Sequence, residues 1–182
     1  MMTVLLLLAL SLSVWLMRQS FFSLDEVSNS HPTTPDAFMV APDYTAFAID
    51  GQWNNRIHAA RITHYADKDT SVLSAPKMVS RSDTGITWTI TADQGIAQHG
   101  LKTVQLTDHV VMDRMHALNG KMLTLNTTAL TAYPQQKLAQ TNQPVVIVQP
   151  GSQVHATGLT ADMNTGDIHL LSRVWGTYTH RP

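Results

Sequence analysis

Apolar and polar residues alternate along most of the chain with the two-residue period of a β-strand. Trp88, Ile90 and Ala92 alternate with threonines, and the same pattern recurs around Leu106 and Leu125. Because successive side chains of a strand point to opposite faces, each run predicts one apolar and one polar face. Short runs of this kind, without crossover helices between them, predict an all-β and mainly antiparallel domain: a jelly roll, a sandwich or an open barrel.

Turn signals divide the alternating runs into short strands. Residues 57–65 predict one longer strand, and the continuous apolar run at 145–148 predicts a strand covered on both faces. Turns are predicted where Gly, Pro, Asn and Asp cluster: Asp50-Gly51, Asp83-Thr84-Gly85, Asn119-Gly120, Pro150-Gly151 and Asn164-Thr165-Gly166. The chain is therefore expected to consist of many short hairpin strands.

Two stretches of the chain, 88–110 and 155–174, resemble one another. Each contains an Ala-Asp pair, a glycine, a couplet of strand-forming residues and a valine: Ala92-Asp93, Gly100, Val104/Leu106 and Val110, then Ala161-Asp162, Gly166, Ile168/Leu170 and Val174. A second repeat places Pro76 and Pro144 at the same distance after Tyr65 and Tyr133. Such repetition predicts a stacked β architecture in which each unit buries its apolar face against its neighbours. This architecture suits binding or carrying an extended molecule better than enclosing a catalytic pocket.

The first residues follow a different pattern. Residues 1–17 are uncharged and strongly apolar, and Arg18 follows them. A run of this length is at the short end of what spans a bilayer, so segment 1–22 predicts a single transmembrane anchor. The alternative is a cleaved secretory signal, which the absence of a basic n-region and of a small-residue cleavage site disfavours. Arg18, taken alone, favours an orientation with the remainder of the chain on the cytoplasmic side.

Residues 23–43 are polar and contain three prolines. This composition predicts a tether that has no fold of its own. The alternating pattern begins at Tyr44, so the β domain is predicted to span 44–179.

Composition narrows the possible functions. The net charge of −1 gives no electrostatic reason to expect nucleic acid as a partner, and the absence of cysteine excludes thiol catalysis and thiolate zinc sites. The nine histidines are scattered, without the spacing of a metal site. Asp93 and Asp162 recur in register, and aspartates at strand ends are more typical of turns than of catalysis. We therefore expect no enzyme, no metal and no cofactor.

One known family shares this arrangement of residues. The N-terminal apolar segment, the polar tether and the motif W-x-I-x-A-D-x-G followed by V-x-L-x-x-x-V resemble the LptC-type lipopolysaccharide export proteins, which have an OstA-like β-jelly roll. The most specific segments are 88–93, 106–110 and 151–159, and the likeness extends from the anchor to about Val174. The chain departs from the family in lacking basic residues before the apolar segment and in its short tail after Tyr178.

The resemblance implies an elongated, twisted antiparallel β-jelly roll that is open along one edge. It implies a periplasmic domain held in the Gram-negative inner membrane by a single N-terminal helix. Such a protein would accept lipopolysaccharide from the inner-membrane ABC transporter, which it contacts through the helix and the N-terminal edge. It would pass the lipid to a periplasmic bridge protein of similar fold, on which its C-terminal edge docks strand to strand.

Gly51 and Gly158 match glycines of the family, and the resemblance implies a part for them in docking. Gly158 is needed either because a side chain would obstruct close backbone approach near the docking edge or because a bulge requires positive φ there.

The apolar strand faces have two interpretations. They form an ordinary core, within an anchored β scaffold that organises an envelope complex and binds no lipid, or they line a groove for acyl chains. In the second interpretation the lipopolysaccharide-binding residues are those on the alternating apolar faces: Trp88, Ile90, Ile96, Val104, Leu106, Met112, Leu123, Leu125, Ile147 and Leu170.

Overall fold

A computed structural model describes residues 35–116 and 122–178 of the chain. The predicted anchor at 1–22, most of the predicted tether at 23–43 and the predicted turn at Asn119-Gly120 lie outside these described residues. Within the described ranges, no helix is long and apolar enough to cross a membrane.

The described residues form a 13-stranded antiparallel sheet with two short 3₁₀ turns. The strands are β1 (Ala37–Val40), β2 (Asp43–Phe47), β3 (Trp53–His58), β4 (Arg61–Tyr65), β5 (Thr70–Ser74), β6 (Lys77–Arg81), β7 (Ile86–Thr91), β8 (Gln94–Gln98), β9 (Thr103–His116), β10 (Met122–Tyr133), β11 (Leu138–Gln149), β12 (Ser152–Asp162) and β13 (Ile168–Tyr178). The 3₁₀ turns are Ala66–Lys68 and Pro134–Gln136. The predicted all-β class is confirmed. β1 lies inside the segment predicted as tether, so the first described strand begins at Ala37, ahead of the predicted start of the β domain at Tyr44.

The sheet is folded over into two half-sheets that share strands β9 to β13. The first half-sheet contains β1, β4, β5 and β8, and β8 pairs with residues 103–107 of β9. The second contains β2, β3, β6 and β7, and β7 pairs with residues 111–116 of β9. The chain therefore crosses repeatedly from one half-sheet to the other. We call the line of crossing points the crease.

Residues with positive φ mark the crease. Ala41, Ala75, Asp108, Gly158 and Arg173 have φ values from 47° to 77°, a conformation that redirects an extended chain and that non-glycine residues rarely adopt. The pairings among β9 to β13 shift register along the same line, as expected where strands bend. Backbone hydrogen bonds continue across it, for example from Ala75 N to Asp93 O at 2.8 Å. The bend therefore keeps backbone groups paired.

Apolar residues from both half-sheets form one buried cluster between them. Leu73 and Leu106 come from the first half-sheet and Trp88, Met112 and Leu125 from the second, and each is at most 1 % exposed. Burying a side chain of this size contributes about 1.5–3 kcal/mol to stability. The inward faces that alternation predicts on β7, β9 and β10 are therefore the faces that build the core.

Both edges of the sheet are unpaired within the described residues. β1 and β2 form the N-terminal edge, and β13 forms the C-terminal edge of both half-sheets. Large apolar side chains are exposed at each: Phe38 and Phe47 at the first, Trp175 and Tyr178 at the second. Unpaired backbone groups beside exposed apolar side chains are typical of places where another strand adds. The sheet is open, consistent with the predicted jelly roll.

Two strand predictions are wrong in detail. Residues 57–65 form two strands because the crease falls at Ala59-Ala60, where Ala60 N donates to Ser74 O. The run at 145–148 is covered on one face only. Its Val145 and Ile147 are buried, whereas on the outer face Val146 is half-buried and Val148 is 43 % exposed.

The repeat of tyrosine and proline corresponds to a repeated structural unit. Tyr65 and Tyr133 each end a strand directly before a 3₁₀ turn. Pro76 and Pro144 each follow at the crease. The constant spacing therefore measures one return of the chain from a 3₁₀ turn to the crease.

The two similar stretches, 88–110 and 155–174, occupy equivalent positions in the fold only in their second halves. Gly100 and Gly166 both lie in turns of the first half-sheet, and each precedes a strand that runs to the crease. The Ala-Asp pairs occupy different places, since Ala92-Asp93 lies at the crease and Ala161-Asp162 ends β12.

Candidate functional site

The space between the half-sheets contains most of the residues that the sequence predicts as a site. Eight of the ten predicted groove residues are buried there, and Leu170 is half-buried against the same cluster. The buried eight are Trp88, Ile90, Val104, Leu106, Met112, Leu123, Leu125 and Ile147.

Ile96 is not part of this interior. Its side chain is 41 % exposed on the outer face of β8, whereas its neighbours Gly95 and Ala97 are buried. A Cβ on Gly95 would lie 3.2 Å from Leu106 Cδ2 and 3.3 Å from Pro76 Cγ, so the inward face of β8 has room only for small residues. The predicted inward placement of Ile96 is therefore wrong.

Several interior residues are missed by the sequence prediction. Leu73, Leu130, Leu159 and Met163 are at most 2 % exposed. The alternation of Leu130 with Thr131 could have placed Leu130 on the inward face of β10. Met163 lies in the turn after β12, where no strand period applies, so its burial depends on the opposite half-sheet.

Beneath β3, β6 and β7 the interior is filled by its own side chains. The cavity lined by Ile57, Met78, Ile90, Pro134 and Met163 has a volume of only about 10 Å³, room for a single water molecule. An acyl chain could therefore enter only if the half-sheets move apart. The interior side chains would then contact the lipid in place of one another.

The half-sheets also touch at their rims, the lines of turns opposite the crease. Trp88 Nε1 donates to Met163 O at 3.0 Å, and Arg114 Nη1 donates to Gly166 O at 2.6 Å. Lys137 Nζ lies 3.3 Å from an Asp83 carboxylate oxygen. These contacts, which we call the rim bridge, join the second half-sheet to turns of the first and close the interior beside β7.

The two predicted docking glycines lie in different surroundings. Gly158 has φ +77° at the crease of β12, and a Cβ there would lie 2.9 Å from Leu171 Cδ1. The prediction of positive φ is confirmed, and the neighbour is a side chain of β13. Gly51 has φ +79° in the turn between β2 and β3, where a Cβ would meet no atom within 4 Å. Its conformation is that of a turn at the N-terminal edge.

The two recurring aspartates have different roles. Asp162 Oδ1 accepts hydrogen bonds from the amides of Asn164 and Thr165 at 2.8 and 3.0 Å, so its predicted place in turn chemistry is confirmed. Asp93 Oδ2 lies 2.6 Å from His109 Nδ1 across the crease. This hydrogen bond, together with the negative charges of Asp93 and Asp108, raises the pKa of His109 above its ordinary value. In the part of the chain that the structure describes, no group of three or more His, Asp or Glu side chains is arranged to bind a metal ion.

One solved structure with a similar fold is LptH from Pseudomonas aeruginosa, described as the LptA-homologous periplasmic component of the conserved lipopolysaccharide transport device. The similarity has a TM-score of 0.56 at 8 % sequence identity, and covers 69 % of this chain and 95 % of LptH. At this identity the likeness concerns the fold alone. No curated protein sequence matches the chain significantly.

The family likeness is carried by the sequence. Residues 3–179 match the profile of the family described as "Lipopolysaccharide-assembly, LptC-related". The match includes the anchor-like segment, the tether and every described strand. The chain therefore belongs to the LptC-related family of lipopolysaccharide-assembly proteins.

Proposed function

We propose that this protein is a membrane-anchored periplasmic carrier. It accepts lipopolysaccharide from the inner-membrane ABC transporter and passes it to a periplasmic bridge protein of similar fold. Family membership supports a role in lipopolysaccharide transport. The observation that carries the proposal is the apolar lining between the half-sheets, which extends from Ile57 in β3 to Leu170 in β13, the C-terminal edge strand. A lining that reaches toward both edges suits cargo that moves along it.

Loading requires the rim bridge to open. Its ion pair joins the largely covered Lys137 to Asp83, whose side chain is 82 % exposed, so solvent at the carboxylate screens the attraction between the two charges. Once the half-sheets part, acyl chains replace side chains as the neighbours of Leu106 and Leu125. The interior then stays apolar throughout the exchange, because one set of dispersion contacts substitutes for another.

Segment 1–22 anchors the carrier, and its helix and the N-terminal edge contact the transporter subunits. The carrier role requires the β domain to lie in the periplasm, an orientation that Arg18 alone does not favour. A C-terminal alkaline phosphatase fusion tests this directly: activity is expected, and an inactive fusion would contradict the periplasmic placement.

The two unpaired edges serve as docking sites. Along the N-terminal edge the chain runs from the first half-sheet (β1) through the crease at Ala41 to the second (β2). β13 runs in the same sense through its own bend at Arg173. A bridge protein of similar fold, aligned so that the two linings continue one another, would therefore place its first strands parallel to β13.

The test of the carrier function uses two adjacent positions of β9 that face opposite ways. Leu106 is 1 % exposed and faces the interior, whereas Thr107 faces solvent. A diazirine amino acid of about leucine size is introduced at either position in cells that synthesise lipopolysaccharide. Lipopolysaccharide adducts are expected at 106 and not at 107. Adducts at 107 alone, or at neither position, would contradict carriage between the half-sheets.

The second candidate is an anchored β scaffold that organises an envelope complex and binds no lipid. The filled interior, with its cavity of about 10 Å³, favours this alternative. Binding of lipopolysaccharide by the purified full chain in detergent, without partners, would exclude the scaffold. Absence of such binding together with absence of adducts at 106 would favour it.

A further inference from the structure

A row of inward-facing residues follows the rim of the second half-sheet toward β13. Trp88 pairs with Arg114, and Arg114 with Leu123. Nearer the C-terminal edge, Gln149 pairs with Ser152, and Ser152 with Tyr178. The rim bridge covers this row at Trp88 but leaves its other end open.

Arg114 places a positive charge on this apolar face. Its neighbours in the row, Trp88 and Leu123, are at most 7 % exposed, so the side chain faces the interior. The other lysines and arginines of the described strands point outward and are exposed. The guanidinium carbon lies 5.7 Å from the centre of the Trp88 ring. No salt bridge among the described residues involves this guanidinium, and its hydrogen bond to Gly166 O employs one of five N–H donors.

A cavity of about 240 Å³ lies beside this guanidinium. It is lined by Arg114, Met122, Leu123, Gln149, Pro150 and Tyr178. One wall is apolar, the amide of Gln149 and the phenol of Tyr178 offer hydrogen bonds, and the single formal charge is that of Arg114. Tyr178 is 78 % exposed, so the cavity opens at the C-terminal edge. A cation beside an apolar wall matches an anionic headgroup that bears hydrocarbon chains.

We infer that this cavity binds a phosphate group of an acylated lipid, with Arg114 as the phosphate ligand. Arginine suits phosphate because its planar donors form two parallel charge-assisted hydrogen bonds. Under the proposed function, on which this inference rests for its cargo, the lipid is the phosphorylated glycolipid portion of lipopolysaccharide. Its acyl chains would contact Leu123 and continue into the interior.

The same guanidinium belongs to the rim bridge. A phosphate that accepts from the other N–H donors of Arg114 would draw the guanidinium toward the cavity and away from Gly166 O. Headgroup binding at the cavity would thereby weaken the contact that holds the turn at 163–167. Binding of the headgroup thereby favours the parting of the half-sheets that acyl chains require.

The test measures binding of the full chain in nonionic detergent to two forms of lipid A, one carrying both phosphates and one with the phosphates removed. The wild-type protein is expected to prefer the phosphorylated form. Arg114→Gln should lower affinity for the phosphorylated form about tenfold, as loss of a charge-assisted contact does, and leave affinity for the other form unchanged. Arg81→Gln, which removes an arginine from the outer face of the same half-sheet, should change neither.

Arg114→Lys keeps the charge and should restore part of the phosphate preference. Equal weakening toward both lipids in Arg114→Gln would assign Arg114 a purely structural part and overturn the inference. So would an unchanged preference, or displacement of the lipid by low millimolar inorganic phosphate, which would indicate a simple anion site. A wild-type protein that binds neither lipid contradicts the carrier function itself. One that binds both equally contradicts only the assignment of Arg114.

Discussion

At the scale of the residue, backbone conformation and immediate neighbours decide what each position tolerates. Gly158 and Gly51 have nearly the same φ, +77° and +79°. Only Gly158 has a close neighbour, Leu171 of the adjacent strand. The two glycines therefore separate the cost of the conformation from the cost of crowding.

Gly51→Ala is expected to lower the free energy of unfolding by about 1 kcal/mol, the cost of positive φ for a side chain. Gly158→Ala should cost about 1–3 kcal/mol more, because its Cβ also displaces Leu171. Urea unfolding of both variants measures the difference. Equal losses would mean that Leu171 moves aside freely and that conformation alone explains Gly158.

His109 is expected to make stability depend on pH. Its pKa in the folded protein is raised by the hydrogen bond and charge of Asp93 and by the charge of Asp108. The stabilisation is therefore complete below the unfolded-state pKa of about 6.5 and is lost as pH rises through the higher folded-state pKa. The melting temperature of wild type should exceed that of His109→Gln at pH 5.5, and the gap should close at pH 8.5.

Asp93→Asn removes the hydrogen-bonding carboxylate, the largest cause of the raised pKa of His109. In that background His109→Gln should change the melting temperature much less at pH 5.5, with only the charge of Asp108 left to favour the protonated imidazole. A gap that persists unchanged at pH 8.5 would contradict this assignment, because the neutral imidazole has no charge to pair with Asp93.

At the scale of the element, the turn at 163–167 closes the interior. Met163 is buried beneath the second half-sheet and its carbonyl accepts from the Trp88 indole. Gly166 lies close to both Ile86 and Arg114. One hairpin turn thus carries most of the contact between the rims, and its detachment is the simplest way for the half-sheets to part.

Trp88→Phe keeps an apolar ring in place and removes the hydrogen bond to Met163 O. Leaving that buried carbonyl unpaired should cost about 1–3 kcal/mol, and the backbone amides of 163–167 should exchange with deuterium about tenfold faster or more. Trp53→Phe, at a half-buried indole of β3, is the matched control and should leave this turn unchanged. Faster exchange throughout the sheet in Trp88→Phe would indicate general destabilisation and not opening of the rim.

At the scale of the whole molecule, the crease gives the two edges a common direction. β1 and β2 together follow the course that β13 follows alone. A chain of similarly folded domains built on these edges would carry one lining from domain to domain, which is the arrangement that relay of a lipid requires.

A photo-crosslinker at Leu171 or at Thr177 tests the direction of docking on the bridge protein. Leu171 lies before the bend at Arg173 and Thr177 after it. In a parallel joint, adducts at 171 should map to the bridge strand before its first crease and adducts at 177 to the strand after it, as mass spectrometry of the peptides would locate. The reverse order would indicate an antiparallel joint.

Local alternation by itself determined the all-β class and the inward faces of β7, β9 and β10, because side-chain direction in a strand follows from its two-residue period. Trp88, Leu106 and Leu125 are placed correctly on this ground alone. The repeated spacing from Tyr65 to Pro76 also indicated a repeated unit, which the structure shows as one return of the chain from a 3₁₀ turn through β5.

The tertiary structure alone decided the crease, the face of Ile96 and the rim bridge. Ala59-Ala60 carries no turn signal, and the bend there follows from pairing with strands elsewhere in the chain. Ile96 faces outward because the space beneath Gly95 is already taken by Leu106 and Pro76. Arg114 meets Gly166 52 positions later, a contact that exists only once the half-sheets face one another. Periodicity reports the direction of a side chain, whereas these features depend on what lies opposite it.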